Sequence, residues 1–200
     1  NLQTMRWANF MHFYQPAGQQ PDILEAIVNQ SYRPLIEGFE KHKKIRLTLN
    51  INGTLFELFD KYNCRDLIDI LRKLGEEERI EFTSSSKYHA ILPFLQKKEI
   101  IRQIKLNDET NKFFLGGAYH PKGFFPPEMA YSEELGAIIS EMGFEWMILD
   151  EIAGTGLSDK RIDYKAVYRL PKTNLKVFFR ERRLSNLIMS AVVRSRETLL

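Results

Sequence analysis

The chain has 200 residues, 44% hydrophobic, 28% charged and 12% aromatic, with 11 Gly and 8 Pro. This ordinary globular composition excludes disorder and collagen-like repeats, and the length is enough for one large domain with a substantial core. Lys+Arg 29 against Asp+Glu 26 leaves a net charge of +3, with the basic residues scattered among acids; that excludes a stripe able to track phosphates, so no nucleic-acid partner is expected.

Trp7 to Tyr14 reads as a first strand. Asp22 to Val28 and Pro34 to His42 carry apolar residues at helical spacing; Pro34 is tolerated only in a first turn, which predicts two helical pieces. Ile45 to Ile51 alternates cleanly and predicts a second strand. Thr54 is the expected cap of a helix with Leu55, Leu58, Phe59 and Tyr62 inward. Asp66 is the expected cap of its continuation through Leu67, Ile70, Leu71 and Leu74, and Gly75 the expected stop. Arg79 to Thr83 is a third strand, followed by a long helix over Leu95 to Phe114 and a short strand at Gly123 to Phe125. Ser132 caps a helix through Leu135, Ile138, Ile139 and Met142 to Gly143, and Phe144 to Leu149 is a fifth strand. Val167 to Leu170 and Leu175 to Phe179 form either a hairpin around Pro171 to Asn174 or two strands of the main sheet. Ser185 to Leu200 is predicted helical.

Strands alternating with helices predict an α/β fold with parallel strands, as an open doubly wound sheet or a closed barrel. Both solutions place ligands at the carboxyl ends of the strands. The unusual polar residues fall there: His12 and Gln15, Asn50 and Asn52, Ser84 to Ser86 and His89, Glu128, Asp150 and Glu151, and Arg180. The opposite connections, His42 to Lys44 and Gly75 to Glu78, carry ordinary surface charges. Cys64 alone allows no internal disulfide, no apolar run is long enough to span a bilayer, and residues 1–6 lack the pattern of a signal peptide. A cytoplasmic protein with no membrane partner is expected, its oligomeric state open.

Glu128 follows Gly123-Phe124-Phe125-Pro126-Pro127. Two prolines stiffen the backbone and remove two donors, and apolar neighbours surround the single acid. That setting suits a nucleophile or general acid, although a loop glutamate facing solvent has the same local string. The imidazole, amide and phenol of His12, Gln15 and Tyr14 suit sugar hydroxyls, and Tyr88-His89 repeats the pattern on the third strand. Asp150 and Glu151 place two acids at the mouth of the fifth strand, where capping and solvation are the plainer roles. No Gly-x-Ser-x-Gly elbow, His-x-x-x-His pair or Lys-Ser/Thr after a glycine loop occurs. A catalytic serine, a metal and a bound phosphate therefore lack support.

His12-Phe13-Tyr14-Gln15-Pro16 resembles the His-x-x-Gln-Pro signature of glycoside hydrolase family 57, and the segment around Glu128 is similar to that family's nucleophile motif. Arg79 to Phe82 leading to Tyr88 to Pro93, Trp146 to Glu151, and Phe178 to Ser185 agree in the same order, so the resemblance runs from Arg6 to Ile188. It implies an incomplete (β/α)7 TIM-like barrel, with residues 1–200 as the N-terminal part of a single catalytic domain. It also implies retaining chemistry on α-glucans such as starch, glycogen or maltodextrin, by hydrolysis, transglycosylation or branching, with no cofactor and no metal. Glu128 would attack the anomeric carbon while a second carboxyl group about 5 to 5.5 Å away protonates the leaving oxygen. His12, Glu81 and His89 would line the donor-sugar pocket and Trp146 would stack on sugar or core; Gln15, Asp150, Glu151 and Arg180 complete the expected substrate-binding set. The family's second motif usually has Gly-Gln before its Ile-Glu, where this chain has Glu78-Arg79. Its later-motif aspartate, the expected acid/base, has no counterpart between Arg180 and Leu200. A closed barrel usually takes about 250 residues, which makes this chain an expected fragment, incomplete as a catalyst on its own. Two other readings stay open: a barrel that binds carbohydrate without chemistry, and a metal-dependent polysaccharide deacetylase.

Overall fold

The structure is a computed structural model that describes residues 8–156 and 162–189. They divide into two compact units, one of residues 8–90 with Leu95–Gly123 and one of Ile91–Phe94 with residues 124–156 and 162–189.

In the first unit, β1 (Phe10–Phe13), β2 (Leu47–Ile51) and β3 (Ile80–Thr83) form a parallel sheet of order β1-β2-β3. Leu47, Leu49 and Ile51 are buried along one face of β2 and Phe82 joins them from β3, as expected for a parallel strand covered by helices. Five helices supply the cover: α1 (Pro21–Ile27), α2 (Arg33–Lys41), α3 (Gly53–Lys61), α4 (Arg65–Glu76) and α5 (Lys97–Leu115). Pro34 does sit in a first turn, but α1 and α2 are joined without a break by a π turn over Val28–Tyr32 that buries Tyr32. Trp7, expected to open the first strand, lies outside the described residues, and β1 ends one residue before Tyr14.

Two expected caps are not caps. α3 begins after Asn52 and α4 after Cys64, so Thr54 and Asp66 both lie inside their helices. Thr54 is buried, with its hydroxyl 3.4 Å from the Lys87 carbonyl. Asp66 instead pairs with Arg33 of α2. Gly75 does not stop α4 either: the helix continues through Glu76, and a Cβ at Gly75 would meet Phe82 Cε2 at 2.8 Å and Ala118 Cβ at 2.9 Å. The glycine is required by close packing of helix on strand.

In the second unit, β5 (Trp146–Asp150) runs parallel to β7 (Lys176–Arg180), and β6 (Tyr168–Arg169) returns antiparallel to β7, so the hairpin alternative is the observed one. The sheet order is β4-β5-β7-β6, with β4 spanning Gly123–Phe124. Ser132 caps α6 (Glu133–Glu141) as expected, accepting from the Leu135 N–H at 3.1 Å. α7 (Glu151–Thr155) and α8 (Arg182–Met189) follow β5 and β7. The predicted helix beyond Met189 lies outside the described residues.

Gly75→Ala should lower stability by about 1 to 3 kcal/mol by forcing Phe82 and Ala118 apart. Urea unfolding measures it; an unchanged midpoint would show that the contact relaxes freely.

Candidate active site

Side chains alternate across a strand, so His12, Asn50, Glu81 and Thr83 share one face of the first sheet. Register sets His12 opposite Asn50 and Asn50 opposite Thr83. The three side chains form a row: His12 Nδ1 lies 2.7 Å from Asn50 Oδ1, and Asn50 Nδ2 donates to Thr83 Oγ1 at 3.1 Å. Asn50 and Thr83 are fully buried, while His12 keeps an exposed edge. Glu81 stands one row further back, its side chain exposed.

His89 comes to this row on the loop after β3, which is fastened at several points. Asn52 Nδ2 donates to the Ser86 carbonyl. The buried Lys87 ammonium reaches the Glu57 carboxylate at 2.7 Å and Thr110 Oγ1 at 3.0 Å. The N–H groups of Lys87 and Tyr88 both bond Gln103 of α5, at its carbonyl (3.2 Å) and its Oε1 (3.3 Å). Ser84 Oγ donates to Asp108 Oδ1 at 2.5 Å and the Tyr119 hydroxyl to the same oxygen at 2.6 Å; burial pushes the Asp108 carboxyl up. Held this way, His89 takes a left-handed backbone with φ 54° and stacks on Tyr14 at 4.5 Å and on His12 at 4.9 Å between centroids. Gln15, the signature's amide, donates to the Tyr32 hydroxyl at 3.1 Å, which in turn donates to the Tyr14 carbonyl at 3.0 Å. The π turn that carries Tyr32 thereby fixes the end of β1.

The stack shapes the chemistry of His12. Desolvation lowers its pKa to about 4; the bond to Asn50 opposes the shift and the charge of His89 adds to it. The ring is uncharged at neutral pH. Arg79, at the place of the expected Gly-Gln, points elsewhere. From the amino end of β3 its buried guanidinium donates to the carbonyls of Phe39 and, at 2.9 Å, His42 at the end of α2. That departure therefore falls at the amino end of β3, away from the carboxyl strand ends that carry His12 and His89.

In the second unit, Glu128 occupies a tight turn over Pro127–Met129. Its backbone is left-handed, φ 57° and ψ 14°, and Met129 follows at φ 52°. Adjacent left-handed L-residues cost about 1 to 2 kcal/mol each. The turn is retained by Met129 N–H to the Pro126 carbonyl (2.8 Å) and Ala130 N–H to the Pro127 carbonyl (3.0 Å). Pro126 and Pro127 are buried, whereas the Glu128 side chain is exposed.

The carboxyl ends of β5 and β7 hold a second group. Asp150 faces Arg180 in register and caps α7 through the Ile152 N–H at 3.1 Å. Glu151, nearly buried, accepts from the Tyr164 hydroxyl at 2.5 Å, and Tyr164 is pushed up to about 12, by desolvation first and then by Glu151. Arg182 spans the pair, 3.6 Å from Asp150 and 3.9 Å from Glu151, while Arg180 bonds Asn186 at 2.6 Å. Trp146 is not brought to this group. It lies at the other end of β5, about 13 Å along the strand, edge-to-face with Phe178 at 5.8 Å.

Sequence reasoning missed Asn50 as a partner of His12, Gln103 as the anchor of the β3 loop, and Tyr164 and Arg182. Asn50 carried a signal, a polar residue closing an apolar strand; the others are brought in by tertiary structure. Among the described residues, no group of three or more His, Cys, Asp or Glu is placed to hold a metal ion. No described helix is long and apolar enough to cross a membrane.

Residues 6–189 match the profile of glycosyl hydrolase family 57. An alpha-amylase 1 of Dictyoglomus thermophilum is 28% identical over 168 residues, 84% of this chain and 24% of that protein. A 4-alpha-glucanotransferase of Thermococcus litoralis is 28% identical over 155 residues, 76% of this chain and 23% of that protein. The crystal structure of 4-alpha-glucanotransferase from Thermococcus litoralis superimposes with a TM-score of 0.82 at 24% identity, covering 94% of this chain and 30% of that one. The α/β fold of parallel strands and helices is the one found there, and the chain spans about a quarter of the length of the curated relatives it matches.

Wild-type His12 should titrate near pH 4, followed by its ring NMR signals. A folded pKa below the unfolded value of 6.5 means that the neutral ring stabilises the fold in full above pH 6.5 and that this contribution is lost as pH falls from 6.5 toward 4. Wild type should therefore lose more stability over that window than His12→Gln; titration at pH 6 or above would contradict the account.

Proposed function

The chain belongs to glycosyl hydrolase family 57, and on that footing we propose that it forms part of the catalytic domain of a retaining enzyme that hydrolyses or transfers α-glucans. The alpha-amylase and 4-alpha-glucanotransferase relatives support the substrate class. The observation that carries the reading is the display of Glu128: an exposed carboxylate on a left-handed backbone behind two buried prolines, in a chain that matches this family.

In this reading Glu128 attacks the anomeric carbon as the glycosidic C–O bond breaks, and the leaving oxygen takes a proton from a second carboxyl group. Water or a sugar hydroxyl then attacks the same carbon, giving its proton to that group, and Glu128 is released. His12, Glu81 and His89, at the motif positions of the first unit, bind sugar hydroxyls. A neutral His12 keeps one ring nitrogen as an acceptor for a sugar hydroxyl, and the exposed Glu81 carboxylate accepts a second. Gln15 serves through Tyr32 as a brace for the strand end. Asp150, Glu151 and Arg180 contribute a polar group at the ends of β5 and β7, while Trp146 packs in the sheet.

Glu128→Gln removes the nucleophile and keeps its shape and hydrogen bonding. On maltooligosaccharides the full-length protein should lose turnover by a factor on the order of 10³ or more, with its circular dichroism unchanged. Turnover at the wild-type rate would remove Glu128 from the mechanism. Binding of oligosaccharide by calorimetry with no turnover in wild type would favour a carbohydrate-binding protein.

A further inference from the structure

We propose that Asn50 is a positioning residue that fixes which nitrogen of His12 carries the proton, and so what His12 offers a sugar. The inference rests on the role given to His12 above and adds a residue to it.

Parallel pairing sets His12, Asn50 and Thr83 side by side on three strands, and Asn50 is the central, fully buried member. A primary amide has two unlike ends, a carbonyl that only accepts and an NH2 that only donates. Asn50 Nδ2 is turned to Thr83 Oγ1 at 3.1 Å, which leaves Oδ1 for His12 Nδ1 at 2.7 Å. An acceptor there requires the proton on Nδ1, so the neutral ring carries its lone pair on Nε2. Were the amide reversed, Nδ1 would accept and Nε2–H would donate. The orientation of one buried amide thus chooses between an acceptor and a donor at the other edge of the ring.

The two stacked neighbours of the ring do not make this choice. Tyr14 and His89 lie against its faces, at 6.3 Å and 4.9 Å between centroids. Stacked rings fix its plane and leave the tautomer open. Glu81, the carboxylate on the same sheet face, stands one row back on the far strand. The Thr83 hydroxyl, which can donate or accept, takes the amide N–H here, and Asn50 Oδ1 meets the imidazole.

Long-range 1H–15N correlation on 15N-histidine-labelled full-length protein reads the tautomer directly, with the His12 signals assigned by their loss in His12→Gln. Wild-type His12 should be the Nδ1–H form at pH 7. Asn50→Leu should show mixed tautomers and a KM for maltooligosaccharide raised about three- to tenfold, the range for one hydrogen bond, with kcat changed less. Asn50→Asp should keep Nδ1–H, but its carboxylate raises the His12 pKa and holds the ring cationic. Activity relative to wild type should then fall at neutral pH and recover as pH rises. A merely structural role for Asn50 would move neither the tautomer nor the pH profile. An Nε2–H tautomer in wild type overturns the proposal, as does Asn50→Leu with the tautomer and KM of wild type. If both variants fail to fold, the wild-type tautomer decides. A wild-type protein that turns over no glucan would sink the proposed function and leave the tautomer result standing.

Discussion

The hydrogen bond between His12 and Asn50 depends on the register of three parallel strands. A slip of one residue in β2 would turn Asn50 to the other face and put Leu49 or Ile51 beside the imidazole. The same register buries Leu47, Leu49 and Ile51 under the helices, so the apolar core and the polar row are two faces of one pairing. Moving the site would empty the core, which is how a site made of a few polar groups is kept in place by a much larger burial energy.

In each unit, backbone is held in a costly conformation at a candidate site residue. His89 has φ 54° and Glu128 has φ 57°, values that L-residues adopt at some expense and that persist only where neighbours over-determine them. For His89 the determinants are the anchors of its loop on α3 and α5, with the ion pair of buried Lys87 to exposed Glu57 and the two N–H bonds to Gln103. For Glu128 they are two prolines of fixed φ, buried beneath it, and two short turn bonds. In each case the strain is local and the support is distributed.

Much of the fold was legible because period and punctuation are local properties. Seven strands fall within a few residues of where alternation places them, the hairpin forms at Pro171 to Asn174, and Ser132 caps α6. The misreadings at Thr54, Asp66 and Gly75 share a physical cause: each residue suits a helix end, and each is used instead for a partner distant in sequence. The candidate site was legible in the same uneven way. His12, Glu81 and Glu128 stand at strand ends or on the sheet face in an order that carries a family resemblance. The row through Asn50, the Gln103 anchor and the left-handed turn at Glu128 exist only once helices and strands have packed. Trp146, read from its motif as a stacking face or core, packs edge-to-face on Phe178 at the other end of β5 from Asp150.

As the nucleophile, Glu128 forms the covalent bond to sugar in the proposed mechanism. Incubating the full-length protein with a fluorinated glucosyl fluoride, whose intermediate forms faster than it breaks down, and mapping the labelled peptide by mass spectrometry tests this most directly. One glucosyl adduct is expected, on the peptide containing Glu128 and on that side chain. An adduct on Asp150 or Glu151, or steady turnover of the reagent by a Glu128→Ala protein, would contradict it.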